Sequence, residues 1–129
     1  MSSFRWHDLA AADPAAALRF YQAVFGWAST VQRANGGSFL RFHSSGKDVA
    51  SMYPLSRAHL ESGVPSHWTS YWGVDDIEAA TRRVRHSGGR VMVAPFEVEG
   101  MASIALVSDP SGATLGLWQE LRDEGRQAD

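Results

Sequence analysis

Cysteine is absent from all 129 residues, which excludes a disulfide framework, a thiol nucleophile and a Cys-ligated zinc site. Charge of one sign is not in excess either. A formal net charge of -2 gives no electrostatic reason to bind nucleic acid or an anionic membrane. No apolar run approaches the roughly 18 residues that a membrane-spanning helix needs. The opening stretch MSSFRWHDLAAADPAAAL lacks the basic start and apolar centre of a secretory leader, so a cytoplasmic protein is expected. No P-loop, dinucleotide fingerprint or Ser-His-Asp set occurs at workable spacing. The glycines of SGGR (87–90) follow a predicted helix rather than precede one, which is the wrong end for cradling phosphate. What is present is a globular composition, 44% hydrophobic and 20% charged. That suits a single domain over 1–129 with a sizeable core.

The chain repeats itself. At an offset of 63 residues, DPAAALRFYQAVFG (13–26) lies over DIEAATRRVRHSGG (76–89), matching Asp13 with Asp76, Ala16 with Ala79, Ala17 with Ala80, Arg19 with Arg82 and Gly26 with Gly89. Each segment predicts a helix: an Asp to cap the first turn, Pro or Ile directly after it, and glycine to close the end. Strand patterns flank both helices, built from aromatic and β-branched residues bounded by Gly, Pro and Asp. Before the first helix stands FRWHDLAA (4–11). After it come WASTVQRA (27–34), GSFLRFHSS (37–45) and DVASMYPL (48–55). The second half repeats the order with WTSYWGVD (68–75), then RVMVAPFEV (90–98), MASIALVS (101–108) and ATLGLWQE (113–120). The expected organisation is module one at about 4–55, a polar linker at 56–67, module two at about 68–120 and a loose tail at 121–129.

A strand-helix-three-strand unit used twice, carried here by DPAAALRFYQAVFGW, VDDIEAATRRVRHSGGRV and DPSGATLGLW, resembles the vicinal oxygen chelate superfamily. That superfamily includes glyoxalase I, extradiol dioxygenases and the bleomycin-resistance proteins, and the resemblance covers about residues 4–119. It implies an α+β fold in which two tandem βαβββ modules form a cup-shaped mixed sheet with the helices outside. In metal-using relatives the cup holds one divalent ion on side chains from the first and last strands of each module. Carried over position by position, those places fall on Trp6, Ser51, Thr69 and Gly116. These are not metal ligands: an indole nitrogen only donates, and glycine has no side chain. A one-residue slip would bring in His7, but alternation places His7 on the face of Leu9, which should pack on the helix. No metal and no other cofactor is therefore expected.

Alternation gives an inward set of Trp6, Asp8, Ser51, Tyr53, His67, Thr69, Tyr71, Thr114, Gly116 and Trp118. Four aromatics beside one acid and several hydroxyls suit a flat, partly polar organic ligand or a cation over an aromatic face. The competing reading is that these aromatics collapse into a dry core, against which Asp8 argues because an unpaired carboxylate is costly to bury. Gly116 has two compatible readings: a vacated ligand position that leaves space open, or relief of crowding near Trp118. On the first, Gly116→Leu should block ligand binding and leave the fold intact, while Gly116→Glu alone should not restore a metal site. The functional expectation is a glyoxalase/bleomycin-resistance-like protein that binds a small organic molecule without a metal, as a homodimer. The alternative is a lyase- or dioxygenase-type enzyme of the same superfamily, metal-dependent or metal-free, with Asp8, His67 and Tyr71 as candidate catalytic groups. His43, His59 and His86 read as strand-edge, linker and helix-end residues, and RRVRH (82–86) as a solvated basic face.

Overall fold

The computed structural model describes residues 3–121. The elements are β1 (Phe4–Ala11), α1 (Pro14–Phe25), β2 (Ala28–Ala34), β3 (Gly37–Ser44), β4 (Lys47–Pro54), α2 (Arg57–Glu61), β5 (His67–Gly73), α3 (Ile77–His86), β6 (Arg90–Val98), β7 (Ala102–Ser108) and β8 (Thr114–Glu120). The α+β reading and the twofold strand-helix-three-strand order hold. Two boundaries differ. The linker contains a short helix, α2, begun by Ser56, whose hydroxyl accepts the His59 backbone N–H at 3.1 Å. His67, placed in the linker by its sequence, opens β5. The expected loose tail lies almost wholly outside the described residues.

Both long helices start as their sequences dictate. Asp13 Oδ1 accepts the Ala16 N–H at 3.1 Å, with Pro14 next in line. Asp76 Oδ1 accepts the Ala79 N–H at 3.0 Å. Such caps satisfy backbone donors that have no intrahelical acceptor and are worth about 1 kcal/mol each. Gly26 ends α1 in the left-handed conformation, φ 72°, where a Cβ would be strained.

The chain forms two compact units. One spans residues 6–69; the other combines residues 70–121 with residues 3–5. In the first, the strand order is β2-β3-β4-β1, with β1 and β4 parallel and the remaining pairs antiparallel. Leu9, Ala11, Phe42, Ala50 and Met52 pack beneath Ala17, Leu18 and Tyr21 of α1. In the second, the order is β5-β8-β7-β6, again with one parallel pair, β5 and β8. Its core is Ile77 and Ala80 of α3 against Ala105, Val107 and Leu117. Each large apolar side chain buried this way contributes roughly 1.5–3 kcal/mol. Burying one face of each sheet under its helix leaves the alternate residues on the other face, and the expected site residues of β1 and β4 lie there.

Candidate ligand-binding face

Registered partners in a sheet share a face. In the first unit, Thr30 faces Arg41, Arg41 faces Ser51 and Ser51 faces Asp8, so these four residues form one row across β2, β3, β4 and β1. Leu9 packs toward α1 as expected, which leaves Trp6 and Asp8 on the face away from the helix. There the Trp6 indole N–H donates to Ser51 Oγ at 2.8 Å, and the Ser51 hydroxyl donates in turn to Asp8 Oδ1 at 2.8 Å. Ser51 is only 5% exposed, so this chain of hydrogen bonds is shielded and strengthened relative to water. Asp8 thus has a partner, and the premise of an unpaired carboxylate in the cup is corrected. The Arg41 guanidinium sits 5.9 Å from the Trp6 ring centroid and pairs through Nη1 with Asp48 Oδ2 at 3.3 Å. Its Nε is buried with no hydrogen-bond acceptor among the described residues.

Burial, and after it the negative charge of Asp8, raise the Tyr53 phenol above its ordinary value of 10.0. The sign of the stability effect follows. Above about pH 10 an unfolded tyrosine gives up its proton while the folded one retains it, so stability falls as pH rises from the unfolded value through the folded one. We expect Tyr53→Phe to flatten this alkaline decline in urea titrations. Asp8→Asn should move the Tyr53 phenol back toward 10.0 in ultraviolet difference spectra. An unchanged Tyr53 titration in Asp8→Asn would contradict the assignment of Asp8 as its neighbour.

In the second unit the parallel pair places Tyr71 opposite Gly116. Tyr71 stands 63 residues after Asp8, so the same site in the repeat holds a carboxylate-hydroxyl pair in one module and an aromatic-glycine pair in the other. A Cβ built on Gly116 would lie 2.2 Å from Tyr71 Cδ2, 2.6 Å from Cε2 and 2.7 Å from Cγ. The space over Gly116 is therefore not open. The Tyr71 ring lies on the glycine, and it meets the Trp118 ring at a centroid distance of 6.0 Å and an interplanar angle of 68°. Both are buried, at 4% and 7% exposure. The crowding that Gly116 relieves comes from Tyr71, with Trp118 beyond it, so a larger residue at 116 meets the Tyr71 ring rather than open space.

The remaining candidates are placed as follows. His67 Nδ1 bonds the Pro65 carbonyl oxygen at 2.8 Å. Thr69 is buried. Thr114 is exposed at the start of β8, its hydroxyl 3.9 Å from Met92 Sδ. The donor chemistry does not fit a divalent ion. Trp6 spends its polar hydrogen on Ser51 and Ser51 spends its own on Asp8, Thr69 offers a neutral hydroxyl, and Gly116 lies under a ring. Among the described residues no group of three or more His, Asp or Glu side chains is arranged to hold a metal.

Sequence reading missed a second cluster on the first unit. His43 is the penultimate residue of β3, which lies between β2 and β4. His43 Nδ1 is 2.8 Å from Asp48 Oδ1, and Nε2 is 2.6 Å from Thr30 Oγ1. A bulge between Phe42 and His43 shifts the register so that Asp48 stands opposite His43. Strand alternation alone could have grouped Arg41 with His43, but not the bulge that adds Asp48. His59 lies in α2 and His86 ends α3. No helix among the described residues is long and apolar enough to cross a membrane.

Comparison with known proteins agrees with this architecture. The chain is 35% identical over 133 aligned residues to the anthracycline biosynthesis protein DnrV of Streptomyces peucetius, covering 95% of this chain and 48% of that protein. It is 34% identical over 122 residues to CFP32 of Mycobacterium bovis, whose designation provisionally calls it a glyoxylase, covering 93% of this chain and 46% of the other. The chain thus spans about half the length of the curated relatives it matches. The crystal structure of methylmalonyl-CoA epimerase from Mycobacterium tuberculosis superposes with a TM-score of 0.64 at 14% identity, over 95% of this chain and 91% of that one, a likeness of fold. The sequence pattern of one family matches residues 4–117, from the start of β1 into β8. With its duplicated βαβββ order, the chain belongs to the Glyoxalase/Bleomycin resistance protein/Dioxygenase superfamily.

Proposed function

We propose that this chain is a single glyoxalase-like domain that binds a small, flat, partly polar organic molecule without a metal ion. The ligand would lie on the first-module face of Trp6, Asp8, Ser51 and Tyr53. The observation that carries this reading is the Trp6-Ser51-Asp8 hydrogen-bond chain, which fills the two first-module positions where metal-using relatives place ligands. An indole and a phenol supply flat apolar surface, while Asp8 and Arg41 supply orienting polar groups, the usual division of labour in small-molecule sites. The anthracycline biosynthesis named for DnrV agrees with a flat, ring-containing ligand. The test is titration calorimetry with an anthracycline and with planar aromatic acids, together with elemental analysis of tag-free protein. We expect saturable binding by one of these probes and at least about a tenfold loss of affinity in Trp6→Ala, about 1.4 kcal/mol, with Trp6→Phe retaining most of it. One tightly held zinc, nickel, iron or manganese per chain would refute the metal-free reading.

The protein is further proposed to be a homodimer. Met92 and Phe96 of β6 are 56% and 42% exposed, and apolar surface of this kind is commonly covered by a partner. Light scattering should give twice the 14.1 kDa chain mass; a single-chain mass across micromolar concentrations would reject it.

A further inference from the structure

Thr30, His43 and Asp48 have the geometry of a nucleophile, a base and a group that orients the base. Asp48 also receives Arg41, at 3.3 Å, and a carboxylate can only accept. In the neutral imidazole its contact with His43 therefore fixes the proton on Nδ1, which leaves the Nε2 lone pair facing the Thr30 hydroxyl at 2.6 Å. That is the arrangement in which a histidine draws the proton from an attacking alcohol, recognised by geometry and roles rather than by chain order. It exists because of the bulge between Phe42 and His43. Bulges re-aim side chains beside active sites. Thr30 is exposed, so an incoming acyl group can reach it. Arg41, the registered neighbour of Thr30, puts a cation on the same face, where a developing oxyanion would be stabilised.

We propose that Thr30, His43 and Asp48 form an acyl-transfer site on the first module, which accepts activated esters. Thr30 Oγ forms a bond to the ester carbonyl carbon while its proton passes to His43 Nε2. The tetrahedral adduct collapses with cleavage of the bond to the leaving oxygen, which takes the proton from His43. Water then adds to the acyl-threonine carbonyl, giving its proton to His43, and the acid departs as Thr30 recovers its proton. The sum is one ester and one water converted to one acid and one alcohol. Thr30 and His43 are the catalytic residues, and Asp48 is a positioning residue. None of the three belongs to the proposed ligand-binding set, which has only Arg41 in common with this site, so acylation of Thr30 is tested separately from metal-free binding.

The test uses the whole chain and p-nitrophenyl acetate, with nitrophenolate release followed in single turnover and the acetylated peptide identified by mass spectrometry. We expect one acetyl group on Thr30, absent from Thr30→Val and retained in Thr30→Ser. His43→Gln should slow acylation at least about 100-fold. Asp48→Asn should remove the low-field Nδ1–H proton resonance of His43, which Thr30→Val should retain. Circular dichroism establishes that each variant is folded, and Thr30→Ser keeps the test decisive if Thr30→Val is not. Acetylation confined to lysine or to the chain's amino terminus would overturn the proposal, as would equal rates in folded wild type, Thr30→Val and His43→Gln.

Discussion

Gly116→Ala should lower stability by about 3 kcal/mol, a fall in Tm on the order of 10 °C for a domain of this size. Alanine is ordinarily the better strand residue, since glycine packs nothing and loses more entropy on folding. Gly116 is not among the glycines with positive φ, so backbone strain would not oppose the change. The cost comes from contact alone: the new methyl carbon would lie 2.2 Å from Tyr71 Cδ2, and a ring held between β8 and Trp118 cannot yield by a full ångström without leaving its rotamer. The diagnostic is a double-mutant cycle. In a Tyr71→Ala background, Gly116→Ala should cost less than about 0.5 kcal/mol, because the obstacle is gone. Urea denaturation of the four proteins measures it. Equal costs in the two backgrounds would show that something other than the Tyr71 ring requires glycine.

Ser51→Ala is expected to cost about 2 kcal/mol. Ser51 links the Trp6 indole to Asp8, so its removal takes an acceptor from a partly buried N–H and a donor from a carboxylate, each a loss of about 1 kcal/mol or more. The volume change is a single oxygen, which makes the effect one of hydrogen bonding rather than packing. Asp8→Asn should cost less in the Ser51→Ala background than in wild type, since the bond it perturbs is already missing. Additive costs would mean that the two residues do not act as one chain. On the reading advanced for function, Ser51→Ala also removes one restraint on the Trp6 ring and weakens ligand binding, whereas Gly116→Ala acts on stability first.

The ease of reading this molecule from its sequence varied with the distance over which information travels. The caps at Asp13 and Asp76 were legible because a capping carboxylate and its acceptor N–H are three residues apart. The 63-residue repeat was legible because each copy carries the same punctuation. The face shared by Trp6 and Asp8 followed from alternation within β1 and agrees with the packing of Leu9. Failures occurred where partners are remote or the register breaks. Nothing near Gly116 indicates that Tyr71, on the neighbouring parallel strand, lies over it. The position that fits a missing ligand by alignment is one that a distant ring requires to be small. Asp48 meets His43 only through a bulge, which shifts the pairing by one residue and defeats simple alternation. Helix α2 is not legible in the sequence because its five residues are too few to show a helical period and lie in a polar stretch.

One feature of the second unit bears on how the polypeptide can be divided. That unit takes in residues 3–5 as well as residues 70–121. The Ser3 carbonyl oxygen accepts the Gly73 N–H at 2.8 Å, the Phe4 ring stands edge-on to Trp72 at 4.7 Å, and Arg5 reaches Glu120 at 3.9 Å. The physical seam therefore does not coincide with the repeat seam. Cleavage between residues 56 and 67 would release an early fragment carrying the strand end on which the late fragment closes, and neither piece would be complete. Such fragments can regain their structure only by reassociating. A gene for the later half would yield a self-sufficient polypeptide only if a substitute for Ser3–Arg5 were supplied with it.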